Sequence, residues 1–139
     1  MSKSRFVLIG RTGKRIVSAD KGYVALLDPK LDLMWAAEDA SKDSLPHAAA
    51  MEAASAVRLL KFKDWRGPEQ LELESLRDLS RHSPAADPLL NMKSGWYWSS
   101  TSAAWSREVA WYVYFYLGEA YCSRRSYHAR VRAVRVASQ

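Results

Sequence analysis

The sequence is short of cysteine and of long apolar runs, and each shortage removes a class of protein. One cysteine, Cys122, occurs in 139 residues. No internal disulfide can form, and one thiol cannot build a zinc site. That fits a reducing compartment, or an exterior where the fold manages without staples. Every apolar run is broken by charges, so no segment is a membrane-span candidate and no membrane insertion is expected. Met1 to Arg5 precede only a brief apolar stretch, Phe6 to Gly10, which is too short for a signal-peptide core. The implied location is the cytoplasm or a virion. Internal repeats and low-complexity tracts are also lacking. A glycine-rich phosphate loop is missing too: Gly10-Arg-Thr-Gly13-Lys14 brings Gly13 too early for the required spacing, and reads as a turn.

What remains fits one domain over residues 1–139, a length that buries enough surface to fold without staples. The net charge of +6 invites a nucleic-acid reading. The positions of the charges weigh against it. Arg124 and Arg125 sit beside tyrosines, while Arg130, Arg132 and Arg135 alternate along an apparent strand.

Residues 5–36 read as short strands: Phe6 to Ile9, Tyr23 to Leu27 stopped by Asp28-Pro29, and Leu33-Met34-Trp35. Ser44 to about Leu60 predicts a helix capped by Ser44 with Pro46 in its first turn, and His47 near its start reads as a surface residue. Pro68 opens a second predicted helix through Ser80. Its glutamates Glu69, Glu72 and Glu74 suit the positive helix end, and Leu73, Leu76 and Leu79 give its apolar stripe. A solvated helix face accounts for those carboxylates better than acid–base chemistry does.

After the loop Ser83 to Pro88 the composition shifts. Four of six tryptophans lie between positions 96 and 111, and five of seven tyrosines between 112 and 127. In Trp111 to Tyr116, strand alternation puts Trp111, Val113 and Phe115 on one face and Tyr112, Tyr114 and Tyr116 on the other. The first set looks like core. Three phenols in a row on the second face look like recognition, because tyrosine gives rigid contact area with a hydrogen-bonding tip. Ala120 to Tyr127 returns with more tyrosine, serine and arginine, and Val131 to Val136 closes as a last strand.

Several short patterns follow one another in order. They are Leu31-x-Leu33-Met-Trp35, Asp64-Trp-Arg-x-Pro68 with Leu73-x-Ser75-Leu76, and Pro84-Ala-x-Asp87. Tyr97-Trp-Ser-Ser-Thr101, Ala110-Trp111-x-Val113-x-Phe115-x-x-Gly118 and Val131-Arg-Ala-Val-Arg135 complete the series. Together they resemble the Lcl-C-type domain, a branch of the C-type-lectin-like fold, over about residues 20–136. Gly67 departs from the resemblance, since the family more often has leucine there.

The resemblance implies an α+β, C-type-lectin-like fold with two helices on small twisted antiparallel sheets. It implies terminal strands lying close together and Trp35, Trp65, Trp98 and Trp111 anchoring the core. Within that family, some members resemble the variable proteins of diversity-generating retroelements, in which adenine positions are randomised, often in asparagine codons. Such codons yield Tyr, Ser, Cys, His, Arg, Ala or Leu, but not Trp, Lys, Glu or Met. Tyr112, Tyr114, Tyr116, Leu117, Tyr121, Cys122, Ser123, Arg124, Arg125, Ser126, Tyr127, His128 and Ala129 all comply. Ala103, Ala104, Ser106 and Arg107 extend the candidate ligand-binding set. Glu119 does not comply and reads as fixed.

The expected function is therefore non-enzymatic binding of a macromolecule, a protein first, through residues of about 96–130. Self-association is one further option. The alternatives are a fixed adhesin or carbohydrate-binding module, and a nucleic-acid binder using Arg124, Arg125, Arg130 and Arg132. Catalytic and cofactor-binding residues are not assigned: the calcium motifs of sugar-binding C-type lectins are missing, and Ser99, His128 and Asp87 have no spacing that selects them as a triad.

Overall fold

A computed structural model describes residues 4–139, so the first three positions of the expected 1–139 unit lie outside the described residues. In chain order the elements are β1 (Val7–Gly10), β2 (Arg15–Ile16), β3 (Tyr23–Asp28), β4 (Leu33–Ala36), α1 (His47–Ser55) and α2 (Gln70–Glu74). They continue with β5 (Trp96–Ala103), β6 (Ser106–Tyr114), β7 (Glu119–Arg124) and β8 (Val134–Val136). The architecture is α+β, with two antiparallel sheets and two helices.

One sheet runs β2-β1-β3-β4-β8 and the other β5-β6-β7. The β1 and β8 strands thus share a sheet, with β3 and β4 between them. Branched and aromatic residues fill the strands of the larger sheet because both of its faces are covered. All of β4 is buried, and Leu26 and Trp35 are fully so. One core cluster joins Leu26 and Trp35 to Leu73, Leu76, Val113 and Phe115, and a second joins Met34 to Ala50, Ala54, Trp65, Trp98 and Tyr112. Each such large apolar side chain, fully buried, contributes about 1.5–3 kcal/mol.

Both helices are shorter than the periodicity predicts. The first starts after Pro46 and has no side-chain cap, so Ser44 is not its N-cap. It stops at Ser55 because the Arg58 guanidinium bonds the carbonyls of Ser55 and Val57 at 2.8 and 2.9 Å, satisfying acceptors a further turn would have used. Leu60 then takes a left-handed φ of 58°. The second opens on a capping box between Glu69 and Glu72 and ends where Ser75 Oγ donates to the Glu72 carbonyl at 2.5 Å. Leu73 and Leu76 are buried as expected, but Leu79 lies beyond the helix and is exposed. Glu72 is not merely solvated: Arg66 grips it with both nitrogens at 2.7 and 2.9 Å. Burial pushes its carboxyl up, and the Arg66 bonds with the Glu69 amide outweigh that to hold it low.

Gly67 has a local reason. A Cβ there would lie 2.5 Å from Met51 Sδ, so the methionine of α1 takes the room a larger residue would need. Trp35, Trp65 and Trp98 anchor the core, whereas Trp111 is only half-buried and meets Trp105 edge-on at 5.9 Å.

The last segment ties the two sheets. Arg132 is fully buried; its Nε and Nη2 donate to Asp39 at 3.2 and 2.9 Å, and it also bonds the carbonyls of Ala36, Leu90 and Asn91. Arg135 is buried too, bonded to Asp64 at 2.7 Å and lying over the Phe62 ring at 3.5 Å. The hydrogen bond from Arg135, with its charge, holds the Asp64 carboxyl below its usual range.

Candidate ligand-binding face

The register of the smaller sheet assembles the aromatics. Trp96 pairs with Tyr114 and Trp98 with Tyr112 across β5 and β6, while Tyr112 pairs with Tyr121 and Tyr114 with Glu119 across β6 and β7. Directly opposed residues share a face. Trp96, Trp98, Tyr112, Tyr114 and Tyr121 therefore project to one side, as the alternation of the tyrosines predicts. Tyr97, Val113 and Phe115 project to the other, into the core beneath α2.

On the first side the rings form a continuous stack. Centroids lie 5.0 Å apart for Trp98 and Tyr112, 4.3 Å for Tyr112 and Trp96, and 4.1 Å for Trp96 and Tyr114. Tyr116 extends it at 5.8 Å from Tyr114, and Tyr121 meets Trp96 edge-on at 5.6 Å. The stack begins fully buried at Trp98 and ends at Tyr116, which is 43% exposed. Tyr112, Trp96 and Tyr114 each have two stacked neighbours, so their faces are spent on one another; Tyr112 is buried, and the half-buried Trp96 and Tyr114 keep only ring edges and the Tyr114 hydroxyl for solvent. The Tyr121 hydroxyl donates to Glu119 at 2.7 Å, and that bond pushes its phenol up.

The turn carrying Tyr116 and Leu117 is strapped from outside. Ala85 N donates to the Phe115 carbonyl at 2.7 Å and Ser83 N to the Tyr116 carbonyl at 2.8 Å. Gly118 sits at a φ of 83°, where a side chain would be strained, and Arg77 Nη1 donates to its carbonyl at 3.1 Å. Two exposed residues are thus held on an ordered backbone, and the neighbouring Leu79 adds to the exposed apolar rim.

The rest of the expected set divides. Cys122 and Arg124 lie on the opposite side of the hairpin, in register with Trp111 and Val109. At the far tip, Ala104 and Arg107 are exposed and Ser106 is half-buried, as is Ser123 on the tyrosine side. Ser126, Tyr127 and His128 are exposed beyond β7. Three members do not reach solvent. Tyr112 is packed under Trp96 and Trp98, Ala103 is buried at the end of β5, and Ala129 is buried where it bridges Leu45.

Arg125 is committed to the framework. Its Nε donates to the Arg107 carbonyl at 2.6 Å and its Nη2 to Ser102 Oγ at 2.5 Å, and its Nη1 lies 2.7 Å from His47 Nδ1. His47 is itself buried, correcting the expected surface placement: its ring packs edge-on to Trp98, and Nε2 lies 2.8 Å from the Ser99 carbonyl. The nucleic-acid alternative loses its footing here as well. Of its four arginines, Arg132 is buried on Asp39, Arg130 bonds the Lys42 carbonyl, Arg125 is anchored, and only Arg124 is exposed. Trp96 is the contributor that sequence reasoning missed as a site residue. Its pairing with Tyr114 is set by the register of β5 on β6, which local sequence does not carry.

Among the described residues no group of His, Cys, Asp or Glu gathers to hold a metal, and no helix is long and apolar enough to cross a membrane.

The domain is α+β and carries a graded aromatic face on its smaller sheet. The family model for the Lcl C-terminal domain matches residues 25–135, and the chain belongs to that family. The match runs from within β3 to within β8 and so contains both the stack and the tip. No curated protein matches the chain.

Proposed function

We propose that the chain is a non-enzymatic binding protein of C-type-lectin-like fold, one unit over residues 1–139. In this reading it is the diversified variable protein of a diversity-generating retroelement, and its ligand is a protein. The observation that carries the reading is the aromatic stack, rooted in the core at Trp98 and open at Tyr116. Rigid aromatics with polar tips supply contact area at low entropic cost. Faces already stacked are not free to accept a sugar ring or a base, which favours a protein whose surface meets ring edges and hydroxyls. The positions open to solvent, Tyr116, Leu117, Tyr121, Arg124, Ser126, Tyr127 and His128, belong to the types that adenine randomisation yields.

Sequencing the DNA beside the gene tests the reading. A near-copy of the segment encoding Trp96 to Arg135, differing mainly at adenines and lying near a reverse transcriptase, is the expected result. Its absence would leave the scaffold and return the tyrosines to an ordinary fixed surface.

A carbohydrate-binding module is the second reading, and Trp105 is what favours it, because its ring is 65% exposed. Glycan binding that survives chelator and is lost in Trp105→Ala would support it.

A further inference from the structure

The tip of the smaller sheet is held by one guanidinium. Arg125 follows β7, yet its three nitrogens reach Ser102 at the end of β5, the Arg107 carbonyl at the start of β6, and His47 at the start of α1. Backbone bonds run alongside: Arg125 N donates to the Glu108 carbonyl at 2.9 Å, and His47 N donates to the Arg125 carbonyl at 2.9 Å. The Ala104–Trp105 turn and the Ser126–His128 segment thus hang from opposite sides of the same side chain.

The bond to His47 requires one protonation state. Nε2 faces the Ser99 carbonyl, which only accepts, so Nε2 carries the ring proton and donates. Nδ1 then presents a lone pair, and Arg125 Nη1 donates to it. A second proton would sit on Nδ1, directly against the guanidinium, converting a hydrogen bond into a clash of like charges.

We propose that Arg125 is a positioning residue, latched through neutral His47, that orders both tip segments of the binding face and lets them go on acidification. The proposal rests on the reading of this end of the sheet as part of that face. The groups around His47 agree with it. From β5 it meets the Trp98 ring and the Ser99 carbonyl, and from the end of β7 it meets Arg125; Arg125 is the charged group that bears on it. Burial first, and then the Arg125 charge, hold the imidazole below its ordinary value against the opposing pull of the Ser99 bond. The latch is therefore closed at neutral pH.

The test is amide and guanidinium exchange on the full chain by NMR, corrected for intrinsic exchange rates, in the wild type, His47→Gln and Arg125→Lys. Glutamine accepts and donates without titrating, whereas lysine keeps the charge but cannot fork to Ser102 and Arg107. In the wild type, protection of Arg125 Nε–H and of the Tyr127 amide should fall at least tenfold, an order-of-magnitude threshold, as pH is lowered from about 7 through the range in which the larger sheet stays protected. Leu26 and Val134 amides in the larger sheet should hold. In His47→Gln the tip should stay protected through the same range, and Arg125→Lys should show at pH 7 the loss that acid gives the wild type. A tip whose protection is flat with pH, or falls equally in His47→Gln, overturns the proposal, as does an Arg125→Lys tip as ordered as the wild type. Order is read without a ligand, so this failure leaves the binding face untouched, and failure to find a ligand leaves the latch untouched.

Discussion

In residues 129–136 two arginines lie in the interior, whereas in residues 96–128 tryptophan and tyrosine reach the surface. Residue type alone ranks them the other way round. Partners decide the outcome. Arg132 finds a carboxylate and three carbonyls already converging where the two sheets meet, so its donors are met and its charge is balanced by Asp39. The aromatics find each other: stacking shelters their faces, and the free edges and hydroxyls tolerate water. One segment spends its polar groups on holding the fold, and the other leaves its outermost side chains, Tyr116 and Tyr127 among them, at the surface.

The deepest way to break that contrast is Arg132→Met, which leaves three buried carbonyls without their donor and the Asp39 carboxylate with only Tyr97 and the more distant Arg130, at 3.7 Å. A loss of about 3–5 kcal/mol is expected, as for other buried pairs deprived of one partner, and urea denaturation measures it. Arg124→Ala is the control on the exposed side and should stay within about 0.5 kcal/mol. Next comes Trp96→Ala, which removes the middle of the stack. With two stacked partners lost and a half-buried ring gone, about 1–3 kcal/mol is expected, and half-buried Tyr114 and exposed Tyr116 should gain mobility in NMR relaxation.

A smaller effect separates the tip from both. The folded state holds His47 below its unfolded value, so neutral His47 favours folding above about pH 6.5, and that contribution drains away as pH falls through the lowered value. Urea midpoints at a series of pH values should show the decline in the wild type, and His47→Gln should lack that component. The smallest stability change belongs to Tyr116→Ala, within about 0.5 kcal/mol because the ring is exposed and the turn is held by its backbone. The same variant should abolish binding of the ligand, once that is identified by surface plasmon resonance.

These contrasts also explain what was legible in advance. Strands β1, β3 and β4 follow from short apolar runs closed by turn residues, and β6 from its alternation, because both patterns are local and survive whatever packs above them. The helices end earlier than the periodicity predicts because neighbouring side chains take their last acceptors: Arg58 bonds the carbonyls at the end of α1, and Ser75 closes α2. His47 was misplaced because its burial depends on Trp98 and Arg125, far away in sequence. Arg125 was counted with the contacts for the same reason. Alternation gave the direction in which Tyr112 points, but not that Trp96 and Trp98 would cover it. Ala103 and Ala129 carried no local sign of burial at all.

The stack has a spectroscopic consequence. Indole and phenol transitions held a few ångströms apart in a fixed, nearly parallel array couple to one another, and the coupling gives strong near-ultraviolet circular dichroism. Trp96 and Tyr114, with centroids 4.1 Å apart, lie next to the open end where a partner would arrive. Any ligand that shifts Tyr114 or Tyr116 must alter that signal. The face therefore carries its own optical reporter, and candidate ligands of any chemistry can be screened in solution without a label.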